Sequence, residues 1–460
     1  MKEVQSESSQ EFKDSWLTLD HGVRSGRYTD PEFTALEHEK MWRNAWQSAA
    51  RLDEIPNVGD YTVYEIGHES ALVVRVDDET IKAYHNFCPH RGTALGEGTG
   101  NFEKSRIICP FHGWRWDTAG SCQFIMEQNQ FRDGQLAKSD ANLKEIHHQV
   151  FAGFIFVNFS RTPEPFEVFI APVKQLIEDL AIEHMRPIWW KRVVAPANWK
   201  VALEAFLEGY HVPATHPQLE KPGADFLYGD DVSGSQHFAH HDHLYEAFDN
   251  GHGRFLGGEK TPMAGHTTNP ESAIDAMADR LNLLVEGMDA MILKEDVALV
   301  RSFKDKEIPE DSSIGKEYVK GLYANAAVEG RPMPKLEKSV LDQWGGEVFV
   351  YPNLLILPQA GNCMMYRIRP NGFDPDSCIF EIYSTKTYGE NAEVPKAVVK
   401  EMDDVTDPEQ FLQIPRQDFG NIPRMQKGLH TSGCKQIWFA NYYEKILLNF
   451  HQQLDRDLQR

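Results

Sequence analysis

Cysteine is scarce in this chain: six residues in 460. That is too few for a disulfide framework, and two of the six stand beside histidines, which points to metal binding in a reducing compartment. Cys122, Cys363, Cys378 and Cys434 read as small hydrophobes. Basic residues are also in deficit, 47 Lys and Arg against 69 Asp and Glu, for a formal charge of -22. A nucleic-acid partner is thereby excluded, because phosphate contacts need clustered cations. No stretch approaches the roughly 18 apolar residues of a membrane span, and the opening MKEVQSESSQEF lacks the apolar centre of a signal peptide. No membrane role and a cytoplasmic location are the expectation. There is no internal repeat. What is plentiful is hydrophobic residues, 41% of the chain, enough to fill more than one core.

The pattern along the chain predicts an α+β protein with an all-β domain near its N-terminus. Residues 1–45 form an N-terminal helical segment in which Asp30 to Trp46 reads as a capped amphipathic helix, with Phe33, Leu36, Met41 and Trp42 at near-helical spacing. Residues 46–160 change to period two: DYTVYEIG, ESALVVRV and ETIKAYHNF form an antiparallel meander, and GWRWDTAGS and FAGFIFVNF close the domain. SRTPEPFEVF is a linker, and FEVFIAPVKQLIEDLAI resumes helical periodicity. In residues 161–460 helices are expected around Asn198 to Tyr210, Pro270 to Gly287 and Asn441 to Leu454. Strands are expected in GEVFVYPNLLILPQ, NCMMYRIRP and SCIFEIYSTKTY.

CPHRGTALGEGTGNFEKSRIICPFHGW, Cys88 to Trp114, sets Cys88 and His90 at one end of a loop and Cys109 and His112 at the other. Thiolates suit soft or borderline metals and imidazoles suit iron or zinc, so a structural zinc site is one reading. Zinc sites of this size usually pair two Cys and then two His, whereas each half here offers one of each, which fits a two-iron cluster with two thiolates and two imidazoles. The stretch resembles the Rieske proteins, with their C-x-H and C-x-x-H followed here by Gly113-Trp114. The resemblance implies that Cys88 and Cys109 bind one iron and His90 and His112 the other, through Nδ1. Imidazole in place of thiolate raises the potential to roughly -150 to +300 mV, against about -400 mV for an all-Cys plant-type cluster. His85, just outside the motif, reads as a strand residue.

NWKVALEAFLEGYHVPATHPQ, Asn198 to Gln218, places Glu204, Glu208 and His211 on one face of a helix that Pro213 ends, with His216 folding back from the next turn. Two histidines five apart mean little alone, since His85 and His90 repeat the spacing by chance. The whole stretch, however, resembles the mononuclear-iron motif of Rieske ring-hydroxylating oxygenases, with its Asn-Trp-Lys opening and Asp-x-x-His-x-x-x-x-His. His211 and His216 match the two iron ligands. In RQDFGNI, Asp418 and Asn421 match the family's third ligand and the Asn after it; Asp403, Asp404 and Asp407 are the fallback. Where the family has the Asp that bridges a neighbouring subunit's cluster to the iron, this chain has Glu208, with Glu204 as a partial substitute. HFAHHDH, His237 to His243, reads as one face of a strand or loop rather than a third metal site, and WFANYYEKILLNF as core helix.

The resemblance covers roughly Trp42 to Gln426. It implies the large (α) subunit of a terminal oxygenase: a Rieske domain, then a helix-grip-like catalytic domain with an antiparallel sheet, a [2Fe-2S] cluster and a mononuclear Fe(II). No G-x-G-x-x-G fingerprint occurs, so NADH is expected to act through a separate reductase, with or without a ferredoxin. A homotrimer is implied, with or without a small β subunit. The expected reaction is cis-dihydroxylation of an aromatic or other apolar ring by dioxygen. Monooxygenation or oxidative demethylation uses the same ligands, and a Rieske electron carrier is the reading from another class.

Overall fold

A computed structural model describes residues 12–219, 243–256, 270–341 and 344–460. The alternating segments pair as their periodicity predicts. Asp60–Ile66, Glu69–Arg75 and Ile81–His85 form an antiparallel meander, and Thr99–Asn101 adds to its edge. Arg106–Ile108, Arg115–Asp117 and Cys122–Phe124 make a second sheet, so Cys109 to His112 is the loop of a hairpin and Cys88 to His90 follows a strand end. Leu72, Tyr84, Cys88, Cys109, Trp114 and Trp116 are buried together under these two loops as a separate small core.

Asp30 caps the first long helix, its Oδ1 accepting from the Glu32 N–H at 2.9 Å, with Pro31 as first helical residue. Pro31–Leu36 is α-helical, but Glu37–Trp42 winds as a π-helix. The wider turn explains why Leu36 and Met41, five residues apart, are both buried. This segment is fastened to the far end of the chain: Gly22–Arg24 pairs with Gln436–Trp438. Glu37 also makes a fully buried ion pair with Lys200 at 2.7 Å.

The C-terminal part is built on an eight-stranded sheet in the order Leu244–Ala247, Gly253–Leu256, Glu347–Val350, Leu354–Gln359, Asn362–Pro370, Cys378–Thr387, Met185–Ala195, Val399–Met402. Every neighbouring pair is antiparallel except the last, Met185–Ala195 with Val399–Met402, which runs parallel. The buried Glu381 carboxylate gathers Arg192, Arg367 and Arg369, and these guanidiniums hold it well below the usual carboxylate range against the opposing effect of burial. Arg367 also donates to the Ala49 carbonyl at 2.6 Å, tying the N-terminal β domain to the large sheet. None of the described helices is long and apolar enough to cross a membrane.

Three helix boundaries differ from expectation, the first being the Asp30 to Trp46 helix, which ends at Trp42. The last helix is Lys445–Leu458 rather than Asn441 to Leu454, because Glu444 takes the Ala440 N–H into its side chain at 2.6 Å and residues 441–444 form a turn. WFANYYEKILLNF is therefore helical only from Lys445, and Trp438 is 72% exposed rather than core. The Asn198 to Tyr210 helix is also shorter than expected, and its early end shapes the site.

Candidate metal centres

The two Cys/His loops are near-copies of one another. Gly92 N–H bonds back to the Cys88 carbonyl at 2.8 Å and Gly113 N–H to that of Cys109 at 3.0 Å, and both glycines have positive φ, +80° and +68°. Each turn aims backbone N–H groups at its own sulfur: His90 and Arg91 at Cys88, Phe111 and His112 at Cys109. Burial pushes the Cys88 thiol up to about 11. Burial acts the same way on Cys109, but the donated N–H groups outweigh it and hold that thiol below its usual value. Hydrogen bonds to sulfur of this kind raise the potential of a thiolate-bound cluster.

The rings of His90 and His112 lie 4.6 Å apart, with His90 stacked on Trp114 at 4.9 Å. His90 Nδ1 is buried and has no hydrogen-bond partner. An orphaned imidazole nitrogen is costly unless something outside the polypeptide takes it up, so the donor set fits a metal group held through Nδ1. A tetrahedral zinc ion would bring its ligands within roughly 3–4 Å of one another. Among the described residues only His211, His216 and Asp418 bring three such donors within 4.8 Å, so the Cys/His quartet does not close on a single ion. Replacing His90 or His112 by Cys should leave a cluster in some molecules and lower its potential by on the order of 100 mV, because a thiolate adds negative charge. A redox titration followed by circular dichroism checks this, and an unchanged potential and spectrum in both variants would remove the two histidines from the ligand set.

The second centre starts at Asn198, whose side chain caps Trp199–Glu204 by accepting the Lys200 N–H at 3.1 Å. The helix stops there instead of running to Tyr210. Phe206 and Leu207 make i to i-3 bonds that tighten the chain, and the Glu208 carboxylate captures the His211 N–H at 2.9 Å. A side chain that takes an N–H three residues on competes with helix continuation and behaves as a cap. Val212–Thr215 is then a new single turn in which Pro213 sits near the start, where its missing N–H costs nothing, so Pro213 opens a helix rather than ending one. His211 and His216 flank this turn.

Both imidazoles are oriented through Nδ1. Glu208 Oε1 lies 2.8 Å from that of His211, and Gln417 Oε1 lies 2.9 Å from that of His216. Their Nε2 atoms face Asp418 Oδ1 at 3.6 and 3.0 Å. Burial lowers the His211 pKa, but the Glu208 and Asp418 charges outweigh it and the net shift is upward. Asp418 is 5% exposed on the helix Gln413–Leu429. The structure thus joins His211, His216, Asp418 and Glu208, and Asn421 tethers the turn through Thr215 Oγ1 at 3.3 Å. Gln417 and Gln218, which exchange amide hydrogen bonds of 2.7 and 3.1 Å behind His216, were not singled out by the sequence reading. Their only signal there is the adjacency of Gln417 to Asp418.

The alternatives do not reach the site. The carboxylates of Asp403, Asp404 and Asp407 are occupied in an exposed turn, accepting from the Gln410 amide, from Thr406 and from the Gln410 amide in turn. Glu204 turns away from His211: Tyr28 Oη donates to it at 3.0 Å, His451 Nε2 lies at 3.0 Å, and burial pushes its carboxyl up to about 8. Of HFAHHDH, residues 237–242 lie outside the described residues, and His243 is stacked on Phe255. His85 lies at a strand end, 3.7 Å from Glu69. A cleft of about 690 Å³ opens beside the centre, lined among others by Glu204, Glu208, His211, Asp418, Tyr210 and Trp438.

Residues 45–139 match the family described as the Rieske [2Fe-2S] domain, and residues 182–460 match the ring hydroxylating alpha subunit (catalytic domain) family. The glycine betaine monooxygenase oxygenase subunit of Chromohalobacter salexigens is 30% identical over 201 residues, 44% of this chain and 44% of that protein. The match thus spans under half of that relative's length. The carnitine monooxygenase oxygenase subunit of Escherichia coli is 27% identical over 342 residues, 69% of this chain and 89% of that protein. In fold, the chain resembles a quaternary ammonium Rieske monooxygenase bound to L-carnitine (TM-score 0.62, 16% identity, 98% of this chain and 100% of that one). It also resembles the naphthalene 1,2-dioxygenase from Rhodococcus sp. bound to indole (TM-score 0.59, 19% identity, 95% and 94%).

Proposed function

The chain belongs to the ring hydroxylating alpha subunit family, and from that premise we propose that it is the oxygenase component of a Rieske monooxygenase that hydroxylates a carbon next to the nitrogen of a quaternary ammonium compound. The reading rests on the similarity to a carnitine monooxygenase oxygenase subunit across 89% of that protein's length. It takes up the monooxygenase or demethylase alternative in place of aromatic cis-dihydroxylation. Hydroxylation there consumes one dioxygen, two electrons and two protons, giving water and an N-hydroxyalkyl ammonium. The latter breaks its C–N bond to give an aldehyde, an amine and one proton.

His211, His216 and Asp418 would hold the mononuclear iron, and Cys88, Cys109, His90 and His112 the cluster. When bound, the cluster delivers electrons singly and the iron activates dioxygen. Glu208 and Gln417 keep the Nδ1 side of each imidazole occupied, so that both Nε2 atoms stay aimed at one point. Glu208 also lines the cleft, where the His90 and His112 end of a neighbouring copy in a trimer would dock. Phe111, 55% exposed beside His112, suits such a contact. A separate NADH-dependent reductase would load the cluster. A Rieske electron carrier would have no use for the His211, His216 and Asp418 cluster.

The test incubates the reconstituted enzyme and a reductase with glycine betaine, carnitine, γ-butyrobetaine and a set of aromatic hydrocarbons under ¹⁸O₂. Aldehyde and amine in equal amounts, matched to NADH consumed, are the expected result. A cis-diol carrying two labelled atoms, with no turnover of the ammonium compounds, would overturn it.

A further inference from the structure

We infer that Glu347 is the counter-ion for the cationic nitrogen of the substrate, and so a specificity-determining residue; this rests on the quaternary ammonium reading above. Glu347 is 3% exposed at the start of the strand Glu347–Val350. The other buried acids of the described residues all have partners. Glu37 pairs with Lys200, Glu381 with three arginines, Glu204 with Tyr28 and His451, and Glu208 with His211. Asp296 accepts the Leu293 N–H, Asp457 accepts from Tyr351 and Gln453, and Asp418 faces the two histidines. No hydrogen bond or ion pair reaches the Glu347 carboxyl among the described residues. A buried carboxyl without a partner is expensive, and a fold that keeps one has a use for it.

Its place in the sheet says what that use is. Tyr245, Phe255 and Glu347 are direct cross-strand neighbours, so their side chains share one face. Phe349, two residues on, is aligned through Leu355 with Tyr366, which puts Tyr366 on that face as well. Phe206, from the segment that leads to Glu208 and His211, stacks on Tyr366 at 4.4 Å, so the metal-binding segment roofs this face. Tyr366 feels the charges of both Asp418 and Glu347, and Glu347 feels that of Glu208. The Tyr245 hydroxyl accepts the Gly209 N–H at 3.2 Å, closing the face against the same segment. A carboxyl without donors, set among aromatic rings, matches a trimethylammonium group, which brings a charge, no N–H, and an affinity for ring faces. Burial first, and the Glu208 charge second, raise the Glu347 carboxyl well above its ordinary range, which suits a group that ionises against an arriving cation.

The experiment measures binding to the anaerobic, metal-loaded enzyme by calorimetry. It uses two probe pairs that differ only in N⁺ against C: γ-butyrobetaine with 5,5-dimethylhexanoate, and choline with 3,3-dimethylbutan-1-ol. Wild type should prefer the cation of at least one pair. Glu347→Gln should weaken the N⁺ member of that pair on the order of 30-fold or more and change its carbon isostere far less, which also certifies the fold. Glu347→Asp should keep part of the preference. Undiminished preference in Glu347→Gln, or an equal loss for both members of a pair, would overturn the assignment alone. A wild-type enzyme that prefers no cation would overturn the ammonium reading, and this assignment with it.

Discussion

Asp418→Ala is expected to lower turnover at least about 1000-fold and to take iron from about three to about two per chain, with the visible spectrum of the cluster unchanged. The two donor sets share no residue, so the loss should be confined to one centre. Asp418 Oδ1 lies 3.0 and 3.6 Å from the Nε2 atoms of His216 and His211. Without it two neutral imidazoles remain, and the anionic charge that offsets the ion is gone. Glu208 cannot move in to replace it while holding both the Nδ1 and the backbone N–H of His211. Iron analysis alongside single-turnover assays reads the outcome. Full activity would return the choice to Asp403, Asp404 and Asp407, although their ties to Gln410 and Thr406 would first have to break.

The parts of this protein that were legible in its sequence are those whose geometry is local. Asp30-Pro31 caps a helix within its own first turn, and Cys88 and Cys109 each sit in a turn closed by a glycine four residues on. His211 and His216 are likewise brought together by one short turn. The end of the helix at Glu204 was not legible, because the Tyr245 hydroxyl and the Glu208 carboxylate take the Gly209 and His211 N–H groups that a continued helix would need. The helix Gln413–Leu429 was hidden by Pro415, Gly420 and Pro423, residues that ordinarily break helices and here are tolerated by packing on the site. Gln417 acquires its role from partners far along the chain, and the role proposed for Glu347 comes from its place in the sheet. Glu347 in particular opens a strand of apolar residues and shows nothing unusual until its neighbours in the sheet are known. The chemistry was the least legible of all. The same metal ligands serve ring dihydroxylation and C–N cleavage, so the choice lies in side chains that face the substrate rather than in the motifs.

In the proposed trimer Glu208 would link the two centres, and its substitution should separate electron delivery from metal binding. Its Oε1 meets the His211 Nδ1 at 2.8 Å, its Oε2 accepts the His211 N–H at 2.9 Å, and it lines the cleft. A carboxylate has lone pairs beyond those two contacts, left free for an imidazole N–H of a docked neighbour. Glutamine keeps the length but offers one acceptor oxygen and no charge. Glu208→Gln can therefore serve only one of the two His211 donors well, and it leaves a docked histidine facing an amide. Both metals should remain, because none of their proposed ligands is touched. Reoxidation of a pre-reduced cluster on adding substrate and dioxygen, followed in a single turnover, should slow by roughly 10- to 100-fold, the usual cost of removing such a partner. Glu208→Asp should retain much more of the rate, since it keeps the charge and both acceptor oxygens. Glu204 offers no substitute path, as its carboxyl is committed to Tyr28 and His451. A wild-type reoxidation rate in Glu208→Gln would therefore take the acidic residues of this segment out of the electron route.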